Sequence, residues 1–193
     1  MTRILILILT IGGILMGGVK KSELVVGGGC FWCLEAVFEK LDGVDEVING
    51  YAGGSSKNPT YKEVSDGVGG HAEVVKIVYD PLSITLEELL DVFFSMHDPT
   101  TLNAQGNDVG IQYRSIILYK EEQKNTIDEA IKKAKTRFDK PITTEVVPLE
   151  RFYEAEEYHQ DYFRKNPSQP YCTFVISPKV KKLEEAYKEM ISK

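Results

Sequence analysis

The stretch GGGCFWCLE, residues 27–35, places two of the chain's three cysteines three positions apart. An apolar run with helical spacing follows. We therefore expect Cys30 at the start of a helix, where backbone N–H groups converge and favour a thiolate over a thiol. Cys33 is one helical turn further on, within reach of Cys30. An attacking thiol beside a resolving thiol is the arrangement that thiol–disulfide exchange requires. The pair therefore predicts redox or nucleophilic chemistry.

Other uses of a Cys-x-x-Cys pair fit this sequence less well. A structural zinc site needs four ligands, and beyond the pair only Cys172 and three scattered histidines remain. Covalent haem attachment needs a histidine directly after the second cysteine, where this chain has Leu34. A dinucleotide-binding loop needs a last glycine that GGGCFWC lacks. We expect no bound metal or cofactor. The alternative that stays open is two cysteines that only pack inside the protein.

Two aromatic residues, Phe31 and Trp32, lie between the cysteines. Large aromatic side chains beside a reactive sulfur form an apolar cup, and such a cup suits a small apolar group such as a methyl, or a ring. The alternative for each ring is ordinary packing of the helix onto the core. The aromatic pair therefore gives a hypothesis about the target of the thiol.

A proton donor is predicted at Glu73, on a strand over residues 71–81. Glu73 is the only carboxylate on the apolar face of that strand, and an apolar setting keeps a carboxyl neutral near neutral pH. The alternative is a strand-edge glutamate that faces water. Tyr61 and Tyr113 are candidate phenolic donors, and Asp108 lies in a turn-like GND sequence. Taken singly, these three residues are also consistent with packing and turn formation.

Strands and helices alternate along the chain with short connections, which indicates a sheet with helices packed on it. Strands are predicted over 23–28, 44–52, 71–81, 113–119, 142–149 and 171–178. Helices are predicted from Cys30 to Asp42-Gly43 and over 85–98, 121–138, 151–165 and 179–192. Segments 53–70 and 103–112 are polar, glycine-bearing loops, and a long irregular stretch in a compact domain is often functional.

The N-terminus differs from the rest of the chain. Residues 4–19 are apolar and lie between Arg3 and the pair Lys20-Lys21, as in a secretory signal, and the run is short for a membrane span. We therefore expect a leader over 1–22, either a signal peptide or an anchor, and a catalytic domain over 23–193. Export or anchoring is favoured over a cytoplasmic location. A buried first strand is the alternative.

The net charge of −6, without a basic stripe, argues against a nucleic-acid partner.

Eight motifs in one order resemble the peptide methionine sulfoxide reductases of the A type. They are GGGCFWCLEAVF, GYAGG, NPTYKEV, GHAEVVKIVYDP, FFSMHDPT, QGNDVGIQYRS, EYHQDY and NPSQPYC. The resemblance covers about residues 23–182, and the shared order of many motifs makes it specific. Together with the pattern of elements, it implies one α+β domain. We expect a two-layer sandwich with a mixed, mainly antiparallel sheet and a ferredoxin-like core with helices packed on it.

The resemblance implies thiol-dependent reduction of methionine sulfoxide, of the S epimer, free or in proteins, as repair after oxidative damage. By matched positions, Cys30 resembles the nucleophile that attacks the sulfoxide sulfur. Phe31 and Trp32 resemble the pocket for the terminal methyl of the substrate.

Four further positions acquire roles from the resemblance. Glu73 resembles the acid that protonates the departing oxygen, and Tyr61 and Tyr113 resemble its hydrogen-bonding partners. Asp108 resembles a residue that positions the substrate. A sulfoxide oxygen is a poor leaving group, so a neutral carboxyl with neighbouring donors is chemically reasonable.

The resolving thiol is open between Cys33 and Cys172. Many members of the family have glycine in place of Cys33 and resolve with a cysteine in the C-terminal YC stretch. Here Cys172 is followed by TFVISPK, which alternates like a strand, and an ordered strand cysteine moves poorly. We therefore favour Cys33, with Cys172 or a relay of all three thiols as alternatives. Thioredoxin or another dithiol is the expected reductant, and a monomer is the expected state.

The competing function class is a thioredoxin-like carrier that uses its Cys-x-x-Cys pair without a substrate of its own. Such a carrier has no need of Glu73, Tyr61 or Tyr113. A catalytic assay with methionine sulfoxide separates the two classes.

Overall fold

A six-stranded mixed sheet forms the centre of the fold in the computed structural model, which describes residues 20–191. In chain order its strands are β1 (Ser22–Gly27), β2 (Val44–Ala52), β3 (Ala72–Tyr79), β6 (Ile116–Tyr119), β7 (Glu145–Pro148) and β8 (Phe152–Glu154). A separate hairpin pairs β4 (Ala104–Gln105) with β5 (Asp108–Val109).

The spatial order of the sheet is β7-β6-β1-β3-β2-β8, and β6 and β7 form its parallel pair. Within the four central strands, β6-β1-β3-β2, each adjacent pair is antiparallel. With one helix after β1 and another after β3, they form the βαββαβ arrangement of ferredoxin-like folds. The predicted α+β domain with a mixed, mainly antiparallel sheet is confirmed.

Helices pack on one face of this sheet. The α-helices are α1 (Phe31–Phe38), α2 (Tyr61–Ser65), α3 (Leu86–Met96), α4 (Lys124–Lys135), α5 (Tyr162–Lys165) and α6 (Ser177–Ala186). Short 3-10 turns occur at Val68–Gly70, Ile111–Tyr113, Glu121–Gln123, Glu157–His159 and Lys188–Met190. α2 and the β4–β5 hairpin lie inside the two segments predicted to be loops, so those segments contain more regular structure than expected.

Side chains point alternately to the two faces of the sheet, and each face carries its own apolar layer. Leu24 and Val75 belong to the large core under the helices, whereas Val25 and Val74 belong to a smaller cluster on the opposite face. Successive strand residues point to opposite faces, so Glu73 shares the helix-covered face with Val75. This is the face on which the sequence places Glu73.

Helix α3 begins with a capping box that accounts for its sharp start. The Thr85 side chain accepts from the Glu88 N–H, and Glu88 Oε2 accepts from the Thr85 N–H at 2.8 Å. We expect Thr85→Ala to lower the free energy of unfolding by about 1 kcal/mol, because the Glu88 N–H at the start of α3 loses its hydrogen-bond acceptor. Urea denaturation measures this change. Thr136→Ala, at an exposed helix end, is the control and should change stability by less than about 0.5 kcal/mol.

The helix predicted over residues 151–165 is wrong in its first half. β8 and a 3-10 turn replace it, and only α5 is helical. β8 pairs with the otherwise free edge of β2. The Phe152 ring lies directly on Gly50, where a Cβ atom would come within 2.3 Å of Phe152 Cζ. Pairing with a distant strand is a tertiary contact that local apolar spacing does not report.

The strand predicted over residues 171–178 is also wrong. Cys172–Ile176 form a π-helical turn that leads into α6. The buried side chains have helical spacing: Cys172, Ile176, Val180 and Leu183. Alternation over so few residues does not distinguish a strand from one face of a helix, and β7 and β8 already occupy both edges of the sheet. Cys172 therefore does not lie in a strand, and the prediction that a rigid strand holds this thiol is wrong.

The leader predicted over residues 1–22 lies almost entirely outside the described residues, and its role stays a prediction. Ser22 already belongs to β1, so the sheet begins one residue before the expected domain boundary. Within residues 20–191, no helix has the length and apolar character needed to cross a membrane.

Candidate active site

The three glycines before Cys30 bring the end of β1 against β3. A Cβ atom on Gly27 would lie 2.5 Å from the Glu73 carbonyl oxygen, so only glycine allows this approach. Gly29 adopts a left-handed conformation with φ +92°, and its N–H donates to the Tyr113 carbonyl oxygen at 3.1 Å. The chain then turns into α1 with Cys30 as the N-cap residue. The glycine run thus places Cys30 beside the Glu73 strand.

The Cys30 and Cys33 thiols are buried and interact with each other electrostatically. Burial, the Cys33 thiol and the nearby Glu73 carboxyl raise the pKa of Cys30 well above its usual range. The neighbouring Cys30 thiol lowers the pKa of Cys33 to about 7. The helix start was expected to make Cys30 a thiolate. The Trp32 backbone does favour the thiolate, but burial outweighs it, so Cys30 is a thiol in the resting site.

Glu73 is 2% exposed and lies against the first turn of α1. Its Oε2 accepts a hydrogen bond from the Phe31 N–H at 3.1 Å. Burial, and then the negative charge of Asp108, raise the pKa of Glu73 to about 8 although this hydrogen bond lowers it. Glu73 therefore carries its proton at neutral pH, as a proton donor beside Cys30 must.

Two phenols share this environment. Tyr61 is the first residue of α2, and Tyr113 ends the 3-10 turn Ile111–Tyr113. Burial and then the Glu73 carboxylate raise the pKa of both tyrosines, so both hydroxyls stay protonated and able to donate. The structure brings these predicted donors to the same site as Glu73, although they come from separate loops.

Asp108 lies at the start of β5 and accepts a hydrogen bond from the Tyr171 hydroxyl at 2.6 Å. The same hydroxyl is 3.9 Å from Cys33 Sγ. Tyr171 therefore links the predicted substrate-positioning carboxylate to the candidate resolving thiol. Cys172 follows Tyr171 and is fully buried, and burial raises the pKa of its thiol. All three cysteines are free thiols.

Phe31 and Trp32 form part of a larger aromatic cup. Trp32 stacks on Tyr162 with ring centroids 3.6 Å apart and planes 6° from parallel. The His159 ring lies 5.0 Å from the Phe31 ring and 4.4 Å from the Tyr61 ring. Burial lowers the pKa of His159, so it is a neutral member of this wall.

Two residues of this site, Tyr162 and Tyr171, are not among the residues predicted from the sequence, whereas His159 is predicted either to support the site or to be structural. His159 and Tyr162 belong to the EYHQDY motif, and Tyr171 belongs to NPSQPYC. Both motifs contribute to the family resemblance, and this is the one signal that points to these residues. Their distance from Cys30 along the chain leaves no local spacing that connects them to it.

One cluster of carboxylates among the described residues has the spacing of a metal site. It contains Glu35, Glu39 and Asp161, whose ligand atoms lie within 4.8 Å of one another. The Arg164 guanidinium forms ion pairs with Glu39 and Asp161. This cation already offsets part of the negative charge that would attract a metal ion.

Comparisons with known proteins agree with this geometry. A family model described as peptide methionine sulfoxide reductase matches residues 22–191. The peptide methionine sulfoxide reductase MsrA of Nautilia profundicola is 59% identical over 160 residues, covering 82% of this chain and 91% of that protein. Mxr1 from Saccharomyces cerevisiae in reduced form has a TM-score of 0.76 at 36% identity, covering 80% of this chain and 90% of that one. The structure of Mxr1 in complex with Trx2 has a TM-score of 0.54 at 29% identity, covering 74% and 85%. This chain belongs to the peptide methionine sulfoxide reductase family.

Proposed function

We propose that the chain reduces the S epimer of methionine sulfoxide, free or in proteins, with Cys30 as the nucleophile and Glu73 as the acid. The observation that carries this assignment is a buried thiol beside a buried carboxyl that keeps its proton at neutral pH. A thiol-dependent reduction of a sulfoxide needs both groups at one sulfur–oxygen bond.

In the first step, Cys30 Sγ attacks the sulfoxide sulfur while Glu73 gives its proton to the sulfoxide oxygen. The oxygen then passes to Cys30, methionine leaves, and Cys30 becomes a sulfenic acid. The thiol proton of Cys30 replaces the proton that Glu73 gives to the oxygen, so Glu73 ends the step protonated and atoms and charge balance. Tyr61 and Tyr113 donate hydrogen bonds that stabilise the developing charge on the oxygen.

The aromatic cup selects the group next to the sulfoxide. Phe31 and Trp32 present apolar surface beside Cys30, and a methyl group on the sulfur gains most from leaving water there. Asp108, half-buried at the start of β5, is the group proposed to hold the polar part of the substrate. These assignments account for methionine rather than a larger thioether as substrate.

In the second step, Cys33 condenses with the sulfenic acid of Cys30. A disulfide forms and one water molecule leaves. The lowered pKa of Cys33, about 7, supports this role, since the thiolate is the attacking form. Cys172 is the alternative resolver, because its π-helical turn adjoins Tyr171 beside Cys33.

A dithiol protein of the thioredoxin type is the proposed reductant, and two of its electrons return the disulfide to thiols. The Mxr1 structure in complex with Trx2 supports this choice. We expect the chain to act as a monomer. An electron carrier without its own substrate is the weaker alternative, because it leaves Glu73 and the aromatic cup without a use.

The resolving step is tested by comparing wild type with Cys33→Ser and Cys172→Ser. Without reductant, we expect about one methionine per chain from all three proteins, and a Cys30–Cys33 disulfide in wild type by mass spectrometry. With dithiol reductant, Cys33→Ser should lose on the order of tenfold in turnover, because its sulfenic acid lacks the neighbouring thiol.

Two outcomes would contradict these assignments. A Cys30–Cys172 disulfide in wild type, with normal turnover of Cys33→Ser, would make Cys172 the resolver. An absence of methionine from wild type would remove the reductase assignment and favour the carrier.

A further inference from the structure

A buried carboxylate on α1 takes no part in the proposed chemistry. Glu35 lies five residues after Cys30 and is 1% exposed. Its Oε1 accepts hydrogen bonds from Asn49 Nδ2 at 2.6 Å and from the Asp161 N–H at 2.7 Å. Its Oε2 accepts from the Tyr162 N–H at 3.0 Å. Both oxygens thus face donors from distant parts of the chain.

These donors belong to the segment that forms the far wall of the aromatic cup. Asp161 precedes α5 in a left-handed conformation, φ +56°, and its own side chain does not cap that helix. Glu35 satisfies the free N–H groups of Asp161 and Tyr162 instead. The Tyr162 ring then lies flat on Trp32. Asn49 Nδ2 also donates to the His159 carbonyl oxygen at 2.8 Å, which fixes the other ring of the wall.

We infer that Glu35 is a positioning residue that holds Tyr162 against Trp32 and thereby sets the width of the methyl-binding cup. Trp32 and Glu35 lie on the same helix, so the helix carries one wall of the cup and anchors the other. This inference rests on the proposed function, since the cup matters only if a substrate occupies it.

The hydrogen bonds that Glu35 accepts require a carboxylate at this position. Three N–H donors converge on two oxygens, and a glutamine has only one acceptor oxygen and would turn an N–H₂ group toward an N–H. Burial raises the pKa of Glu35 to about 7, a net value that includes a rise caused by the nearby Glu39 and a lowering caused by the hydrogen bonds from Asp161, Tyr162 and Asn49. Measurements at pH 8 therefore examine mainly the ionised form.

The experiment uses Trp32 as its own reporter, because it is the single tryptophan of the chain. We expect Glu35→Gln to shift Trp32 emission to longer wavelength and to increase its quenching by acrylamide. KM for a methionine sulfoxide peptide should rise on the order of tenfold, with the single-turnover rate at saturation within about threefold of wild type. Glu46→Gln, a change of the same charge at an exposed position of β2, should leave all three quantities unchanged.

Two further variants show whether Glu35 acts through Tyr162. Tyr162→Leu should raise KM and shift Trp32 emission, and adding Glu35→Gln to it should change neither further. Glu35→Asp keeps both oxygens and should restore part of the wild-type emission and KM. If Glu35→Gln does not fold, Glu35→Asp replaces it in the comparison with Tyr162→Leu.

The inference is overturned if KM rises while Trp32 emission stays at its wild-type value, or if the effects of the two substitutions on KM multiply. Emission and quenching need no turnover. If wild type makes no methionine, the proposed function fails, while the emission data still decide whether Glu35 holds the stack.

Discussion

Replacing Cys30 by serine is expected to abolish methionine formation, with a loss on the order of 10⁴-fold or more. A serine hydroxyl fills almost the same buried space, but it does not ionise near neutral pH and is a weak nucleophile without a base. Methionine released from a sulfoxide peptide without reductant, quantified per chain, measures this first step alone.

Cys172→Ser is the matched control for this experiment. Its first step needs no resolving thiol, so it should still release about one methionine per chain. The outcome that would contradict the assignment is one methionine per chain from Cys30→Ser. Attack would then belong to Cys33, whose pKa of about 7 makes it the more acidic thiol of the pair.

Glu73→Gln is expected to slow the first step by about 10²- to 10⁴-fold, the usual contribution of a positioned general acid. Glutamine keeps the volume of the side chain and an oxygen that accepts the Phe31 N–H, so the start of α1 is preserved. It has no acidic proton to give to the sulfoxide oxygen. Single-turnover kinetics at pH 7 measure the loss.

The rate loss caused by Glu73→Gln depends on pH because the pKa of Glu73 is raised. Burial raises the pKa of Glu73 to about 8, so the acid form is present at pH 7 and is lost as pH rises through 8. Deprotonation of Cys30 increases over the same range and obscures a simple decline in the wild-type rate. The ratio of wild-type to Glu73→Gln rates removes the part of this contribution that both proteins share, and the charge of ionised Glu73 on Cys30 lowers the ratio in the same direction as the loss of the acid. We expect a constant ratio below about pH 7 and a roughly tenfold fall per pH unit above about 8.

Glu46→Gln serves as the control, because Glu46 lies on the neighbouring strand β2 and is exposed. Its rate should equal that of wild type at every pH. If the ratio for Glu73→Gln shows no dependence on pH, then Glu73 orients the site without giving a proton, and one of the two tyrosines becomes the candidate donor.

Much of the fold was predictable because the amphipathic patterns are local and strong. β1, β3 and α3 occur where alternation and helical spacing predict them. The errors lie in two segments, 151–165 and 171–178, where short apolar runs fit a strand and a helix equally well. Pairing with the free edge of β2 decided the first segment, and packing against the core under the helices decided the second.

The sequence by itself determined the chemistry of this protein: a cysteine pair after three glycines, an aromatic pair between the cysteines, and one carboxylate on an apolar strand face. Residue types and short spacings carry that information. The tertiary structure alone decided the protonation state of each functional side chain and which residues surround it. Burial keeps Cys30 a thiol despite the helix start, and it keeps Glu73 neutral. Contacts between distant segments place Tyr162 on Trp32 and Glu35 behind them. Desolvation and long-range packing depend on what the rest of the chain places around a residue, and local spacing does not encode them.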